Sequence, residues 1–483
     1  MNLRSFTRVS LAVLVLAGKP AAFAADSSLP WPRFRGPNGS GIAADAHPPI
    51  EVGPAKNVKW KVATPAGLSS PIIAGDLLVL TAVDDGRLYT IAYSRSDGHE
   101  AWRAAAPAEK LEPVHETEGS PAASTPATDG QYIVSYFGSC GLFCYDLAGK
   151  ELWKIEMPMA STLGNYGTGV SPIIADGMAI LLRDDGRDSR ILAVDLATGK
   201  PKWETRRASR GGFSTPVLWE TAEGTQVVAA GHYKLIGYDV ATGAEKWFAA
   251  GMPSATCASP VTAHGELYFA AWSPGSSEDM AFQPPPFGLV LLGDRNGDGA
   301  LSRDELSLPQ LKSFFDTIDL NKDDKVTREE WDSLLALLAA AKNSAFVLTP
   351  GGVGDVTESH VKWRKTSGLP YVPSAIVYQD QYVMVKDGGI VTAYDAATGD
   401  QVYQKRTVAA GKYYASPVAA NGNIYFASLG EGKITVLKAG AKTPAVVAEN
   451  PPLEERISAT PAIVGNTMYV RTAGHLYAFS RQD

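Results

Sequence analysis

A short pattern returns along this chain at intervals of roughly 40–50 residues: a strand, an Asp, a Thr-Gly turn, then a Trp. The clearest copies are Ile191-Leu192-Ala193-Val194-Asp195-Leu196-Ala197-Thr198-Gly199-Lys200, ending at Trp203, and Leu235 to Gly243, ending at Trp247. Val391 to Gly399 with Tyr403 is a third, and weaker copies run from Leu88 to Trp102 and from Leu142 to Trp153. The Asp-x-x-Thr-Gly stretch is a hairpin turn in which Gly takes the positive-φ position and the Asp and Thr side chains bond local backbone. The Trp that follows is a large apolar body suited to fill the space between neighbouring repeats.

Each copy begins with a Ser/Thr-Pro step: Ser70-Pro71, Thr125-Pro126, Ser171-Pro172, Thr215-Pro216, Ser259-Pro260, Ser416-Pro417 and Thr460-Pro461, with Val372-Pro373-Ser374-Ala375 in the same place in another copy. Pro suits the first residue of a strand, where no ladder donor is needed. The starts number eight, which predicts a mainly β chain folded as an eight-bladed β-propeller over 57–273 and 345–483. The last copy stops before its Trp strand. Val58-Lys59-Trp60-Lys61 reads as that strand, so the N-terminus is expected to close the ring and leave fewer open edges.

The fifth copy is interrupted. About seventy residues separate its second strand from its third, too many for an ordinary hairpin loop, and an insertion is assigned to 274–344. Within it Asp294, Asn296, Asp298, the Ala300 carbonyl, Ser302 and Glu305 fall at the positions of an EF-hand loop, with Gly299 at the sharp turn. Calcium is a hard cation that takes six to eight oxygens, and this spacing supplies them. A second loop offers Asp319, Asn321, Asp323, the Lys325 carbonyl, Thr327 and Glu330, but carries Asp324 where Gly is preferred, which predicts a weaker site. Ser302 to Glu305 and Thr327 to Glu330 also read as capping boxes, so each loop is expected to lead into a helix. The insertion is therefore read as a small α-helical EF-hand pair that binds Ca2+.

Residues 1–24 have the pattern of a signal peptide: Arg4 and Arg8, an apolar run from Leu11 to Gly18, and Ala22-Phe23-Ala24 as a cleavage site. No Cys follows the run, so a lipid anchor is not expected, and the predicted location is periplasmic or secreted. No later stretch reaches the roughly 18 apolar residues of a transmembrane helix. A formal net charge of −7 argues against a nucleic-acid partner. Cys140, Cys144 and Cys257 are an odd number for a disulfide framework. They read as buried small hydrophobes, with a Cys140–Cys144 bridge as the alternative.

These repeats resemble those of the pyrroloquinoline-quinone (PQQ) repeat propellers, a group that includes BamB-like proteins and the quinoprotein alcohol dehydrogenase-like superfamily. The opening Trp31-Pro32-Arg33-Phe34-Arg35-Gly36-Pro37-Asn38-Gly39-Ser40-Gly41, within an extended segment 25–56, is similar to that of many exported bacterial propellers of this type. The resemblance implies a fold rather than an activity. Dehydrogenases of the superfamily usually carry an adjacent Cys-Cys pair, which is absent here, and hold calcium at the quinone with a Glu, an Asn and an Asp that have no assignable counterparts.

A propeller mouth is lined by the loops before each first strand and between the second and third. The second–third loops contribute Arg183, Asp184, Asp185, His232, Trp272, Lys386, Asp387 and Arg471; the others contribute His115, Glu116, Glu118, Asn165, Tyr166, Tyr371, Tyr413, Tyr414 and Arg456. Arg183, His232, Trp272, Lys386 and Arg471 are the candidate funnel residues, a cationic rim for a small anionic ligand; the alternative is an ordinary solvated rim. No Ser-His-Asp order, zinc spacing or P-loop is present. The chain is thus read as an exported calcium-binding propeller, a non-catalytic binding or scaffold protein of the cell envelope whose partners are calcium, envelope proteins or an anion. The alternative is a PQQ-dependent oxidoreductase acting on an alcohol or sugar.

Overall fold

Eight antiparallel sheets are arranged in a ring in this computed structural model, which describes residues 29–186, 188–209, 211–274, 284–307, 312, 315–319, 321 and 323–481. The expected signal peptide lies outside the described residues. Seven of the blades run their four main strands outward in chain order, as in blade 3: Ile173–Ala175, Met178–Arg183, Arg190–Asp195, Pro201–Arg206. The first strands of successive blades meet around the central channel. Middle strands lie between two neighbouring blades, and all six residues of Met178–Arg183 are buried. The outer strand Pro201–Arg206 instead alternates exposed and half-buried residues, because one of its faces meets solvent.

The repeat turns form as their residues dictate. Asp195 accepts hydrogen bonds from the Thr198 backbone N–H (3.0 Å) and hydroxyl (2.7 Å), and Asp239 binds Thr242 in the same way. The outer Trp of one blade then docks on the turn of the next. Trp102, Trp153, Trp203 and Trp363 each donate their indole N–H to the carbonyl that follows the turn Asp, at Leu147, Leu196, Val240 and Ala396. The turn Gly lies flat under the indole: a Cβ on Gly399 would stand 2.7 Å from Trp363. In blade 8 the fourth strand is Val58–Ala63, antiparallel to His475–Ser480. Its Trp60 donates to the Arg95 carbonyl of blade 1 at 3.0 Å, repeating the blade-to-blade contact across the two ends of the chain.

The Ser/Thr of each strand start has a role that the sequence did not suggest. The backbone N–H of Ser70 donates to the Thr125 hydroxyl, Thr125 to Ser171, Ser171 to Thr215, Thr215 to Ser259, Ser259 to Ser374, Ser374 to Ser416, Ser416 to Thr460, and Thr460 back to Ser70, all at 2.9–3.1 Å. A closed circle of backbone-to-hydroxyl bonds therefore surrounds the channel, one per blade.

The segment after Trp31 fills the channel itself. The Trp31 and Pro32 carbonyls accept from Ile73 and Thr128; Asn38 exchanges two bonds with Leu218 and donates to Thr262; Arg35 donates to the Ala375 carbonyl; Gly41 accepts from Ala419; and His47 donates to Gly465. These partners belong to blades 1, 2, 4, 5, 6, 7 and 8. An innermost strand has an open edge of backbone donors and acceptors, and this one polar, Gly-rich segment pairs with such groups in six of the eight blades and with a Thr hydroxyl in a seventh. Ile42–Ala43 adds a parallel strand to blade 7, and Gly354–Asp355 adds one to blade 4.

The insertion packs as a small unit on its own apolar cluster, in which Phe287, Leu301, Leu306, Phe315, Ile318, Val326 and Trp331 are buried. Phe287–Val290 forms one helical turn, and Arg328–Ala340 is the long helix, started by a reciprocal bond pair between Thr327 and Glu330. The helix expected after the first loop differs. Arg303–Glu305 is a turn, and Leu306 and Ser307 are not helical. The Ser302 N–H and hydroxyl both bond Glu305, but Glu305 returns its N–H to the Ser302 carbonyl, which makes a turn and not a cap. All three cysteines are free, Cys140 and Cys144 buried and Cys257 partly so. Among the described residues no helix is long and apolar enough to cross a membrane.

Candidate functional site

The loops that precede the inner strands enclose a cavity of about 900 Å³ on one side of the hydroxyl circle. Ser70, Thr125, Ser171, Thr215, Ser416 and Thr460 line its base, and Phe34 of the channel segment reaches it. The walls are aromatic. Tyr166 stacks on His115 (centroids 4.8 Å, interplanar 7°) and meets Phe213 edge-on at 6.1 Å. Tyr233 lies against His232, and Tyr371 packs edge-on against Trp272. Tyr414 adds a ring, and Leu334 and Pro284 of the insertion complete the lining.

The chemistry of this lining is quiet. Burial pushes the Tyr233 and Tyr371 phenols up to about 12, and raises Tyr414 further, so all three stay neutral. Burial likewise raises the Cys257 thiol to about 12, which removes it as a thiolate nucleophile. His232 holds the Ser254 carbonyl at 2.7 Å through Nδ1, and since that carbonyl only accepts, Nδ1 carries a proton. Glu118 is the one carboxylate among the described lining residues. A hydrogen bond from the Tyr414 hydroxyl holds it below the usual carboxylate range, and Lys412 at 3.3 Å adds to this. A charged, low-pKa carboxylate is a poor general base at neutral pH.

In the insertion the two acidic loops are wrapped alike. Glu305 accepts from the Arg295 N–H and from Ser302; Glu330 accepts from the Asn321 N–H and from Thr327. Asp294 accepts from the Gly297 and Gly299 N–H groups, and Asp319 accepts from Asp324. Asn296 and Asn321 each take the N–H two residues on, as do Asp298 and Asp323. The loops are joined by a short bridge that pairs Leu301 with Val326 and Ser302 with Lys325. Lys325 also places its ammonium 2.8 Å from Asp298. Asp324 adopts φ 62°, the left-handed conformation that Gly299 takes at φ 81° in the first loop.

A family model described as outer membrane protein assembly factor BamB matches residues 52–166, 90–271 and 351–483. The chain belongs to this family. Among solved structures it is similar to BamB from Moraxella catarrhalis (13% identity, 87% of this chain and 96% of that one, TM-score 0.53). It is also similar to the computationally designed Ika8 protein (11%, 88% and 99%, 0.54) and to quinohemoprotein alcohol dehydrogenase from Comamonas testosteroni (12%, 95% and 81%, 0.53). At such identities the likeness is one of fold. No curated protein matches the chain.

Within this BamB-type ring the five candidate funnel residues are dispersed. His232 alone lines the cavity. Trp272 is 40% exposed and supports Tyr371 from behind. Arg471 is 1% exposed and donates to the Ser69, Thr81 and Pro65 carbonyls and the Ser69 hydroxyl, tying blade 8 to blade 1. Arg183 is buried against the Pro158 carbonyl and Asp185. Lys386 is not among the lining residues. A cationic rim is therefore not what surrounds the cavity: no Lys or Arg occurs among its described lining residues. The second set of loop residues fared better, because Glu118, Tyr166, Tyr371 and Tyr414 all face the cavity. The described lining also offers no cationic partner for PQQ, a planar tricarboxylate, so these residues do not fit that cofactor.

Proposed function

We propose that this BamB-family chain is an exported, calcium-binding scaffold of the cell envelope, a ring that binds rather than transforms its ligands. The calcium reading is carried by one observation: both acidic loops, read from the sequence as an EF-hand pair, share a single pattern of backbone wrapping around the first and last carboxylates. Asp294, Asn296, Asp298, the Ala300 carbonyl, Ser302 and Glu305 are the ligands assigned to the first loop. Asp319, Asn321, Asp323, the Lys325 carbonyl, Thr327 and Glu330 are assigned to the second. Calcium bound to the folded form stabilises it by about 2.7 kcal/mol at a hundredfold excess over Kd. The envelope location is supported by the N-terminal signal pattern and by a family described through outer membrane assembly.

Calorimetric titration of the chelated protein with calcium tests this. The expected result is binding with a raised Tm, reduced by Glu305→Gln and abolished by Glu305→Gln with Glu330→Gln. A parent protein that takes up no calcium overturns the reading.

A further inference from the structure

The neutral aromatic cavity is not explained by a calcium-binding insertion, and its contents can be read from its walls. Four tyrosines (Tyr166, Tyr233, Tyr371 and Tyr414) and Phe213 line one space of about 900 Å³. That is within the size range of small-molecule sites and large enough for a fused-ring ligand. Ring faces at this density favour stacking with a flat partner. The electron-rich faces of Tyr also attract a cation, most strongly where water is excluded.

The charge distribution points the same way. Glu118 is the one described ionised lining residue, and it is 19% exposed on its side chain, so its field is only partly screened. Asp387 stands close enough to raise the Tyr371 and Tyr414 phenols together with Glu118. The hydroxyl circle at the base adds polar groups but no charge, because each of its oxygens accepts a backbone N–H and can still donate its own proton.

We propose that this cavity binds a planar aromatic ammonium compound, its rings between Tyr166, Phe213 and Tyr371 and its cationic group toward Glu118. The assignment stands apart from the calcium reading, since none of these residues belongs to the acidic loops. A bound cation would compete with Lys412 for Glu118, and Lys412 is 59% exposed and can turn to solvent. An anion of the same shape would meet the Glu118 carboxylate in a lining with no described Lys or Arg, Lys412 pairing with that carboxylate at 3.3 Å from outside the lining.

Three probes of matched shape test this on the full chain at fixed calcium: 1-naphthylmethylammonium, 1-naphthylmethanol and 1-naphthylacetate, followed by their fluorescence. The ammonium should bind at least tenfold more tightly than the acetate, with the alcohol between. Glu118→Gln should cut the ammonium-to-acetate ratio at least threefold while the alcohol is unchanged. Tyr166→Leu should weaken all three, with melting curves confirming that both variants fold. Acetate binding as tight as ammonium, an unaltered ratio in Glu118→Gln, or no binding by any probe at millimolar concentration overturns the proposal.

Discussion

The backbone N–H of Thr460 donates to the hydroxyl of Ser70 at 2.9 Å, across 390 residues of sequence. It is the last link of the hydroxyl circle and joins blade 8 to blade 1 at the inner rim, where Trp60 and Arg95 join them at the outer one. Every other link in the circle joins blades that are consecutive in the chain; this one joins the last blade to the first. Ser70→Ala removes the acceptor and leaves a buried N–H unpaired, at a cost of about 1–3 kcal/mol. Ser70→Thr keeps the acceptor, and Thr already serves in blades 2, 4 and 8. Thermal melting should therefore show a lower Tm for the alanine variant and a nearly parental one for threonine.

Gly399 gives a packing prediction with an internal control. A Cβ there would stand 2.7 Å from the Trp363 ring on a backbone at φ 73°. Gly177 has φ 68°, and a Cβ there would meet nothing within 4 Å. Alanine at either site bears the left-handed penalty of about 1–2 kcal/mol, but only Gly399→Ala also displaces an indole, adding about 1–3 kcal/mol. Urea unfolding should rank Gly399→Ala well below Gly177→Ala.

Burial pushes the Glu112 carboxyl up to about 7, against a hydrogen bond from Thr168 that lowers it. The folded form therefore holds a proton that the unfolded chain releases near pH 4.5. Stability from this group is fully present at low pH and falls as pH rises through 4.5 to about 7, by a few kcal/mol at most. Glu112→Gln should flatten that part of the stability–pH curve and melt higher than the parent at about pH 8, above both of those values. A variant curve that runs parallel to the parent's across this window would count against it.

Asp324 occupies a left-handed position that Gly fills without strain. Asp324→Gly should stabilise the insertion by roughly 0.5–1 kcal/mol and tighten calcium at the second loop relative to the first. Paired titrations of the parent and variant, each carrying Glu305→Gln to silence the first loop, isolate the effect.

The ring was readable because its determinants are local and repeated: Asp195 with Thr198, Gly199 under Trp153, and a Pro at each inner strand. The hydroxyl circle was not, because Ser or Thr before Pro reads equally well as a plain strand start, and the partner hydroxyl lies a whole blade away in the chain. The cavity was half legible. Loop aromatics such as Tyr166 and Tyr371 do face it, since a large ring in a mouth loop has few other places to pack. Arg183 and Arg471 misled because a loop arginine reads as a solvated cation, whereas here Arg183 donates inward to the Pro158 carbonyl and Asp185, and Arg471 to the Pro65, Ser69 and Thr81 carbonyls. Sequence reveals that a guanidinium is present but not which carbonyls converge on it.

The outer strand of the final blade has a consequence for how the molecule is made. Val58–Ala63 is synthesised long before its sheet partner, His475–Ser480. Until the two meet, seven complete blades hold an eighth that is one ribbon short, with a bare ladder ready to recruit whatever strand comes by. Loss of either stretch would leave that same vulnerable rim, so two distant parts of the polypeptide guard a single seam.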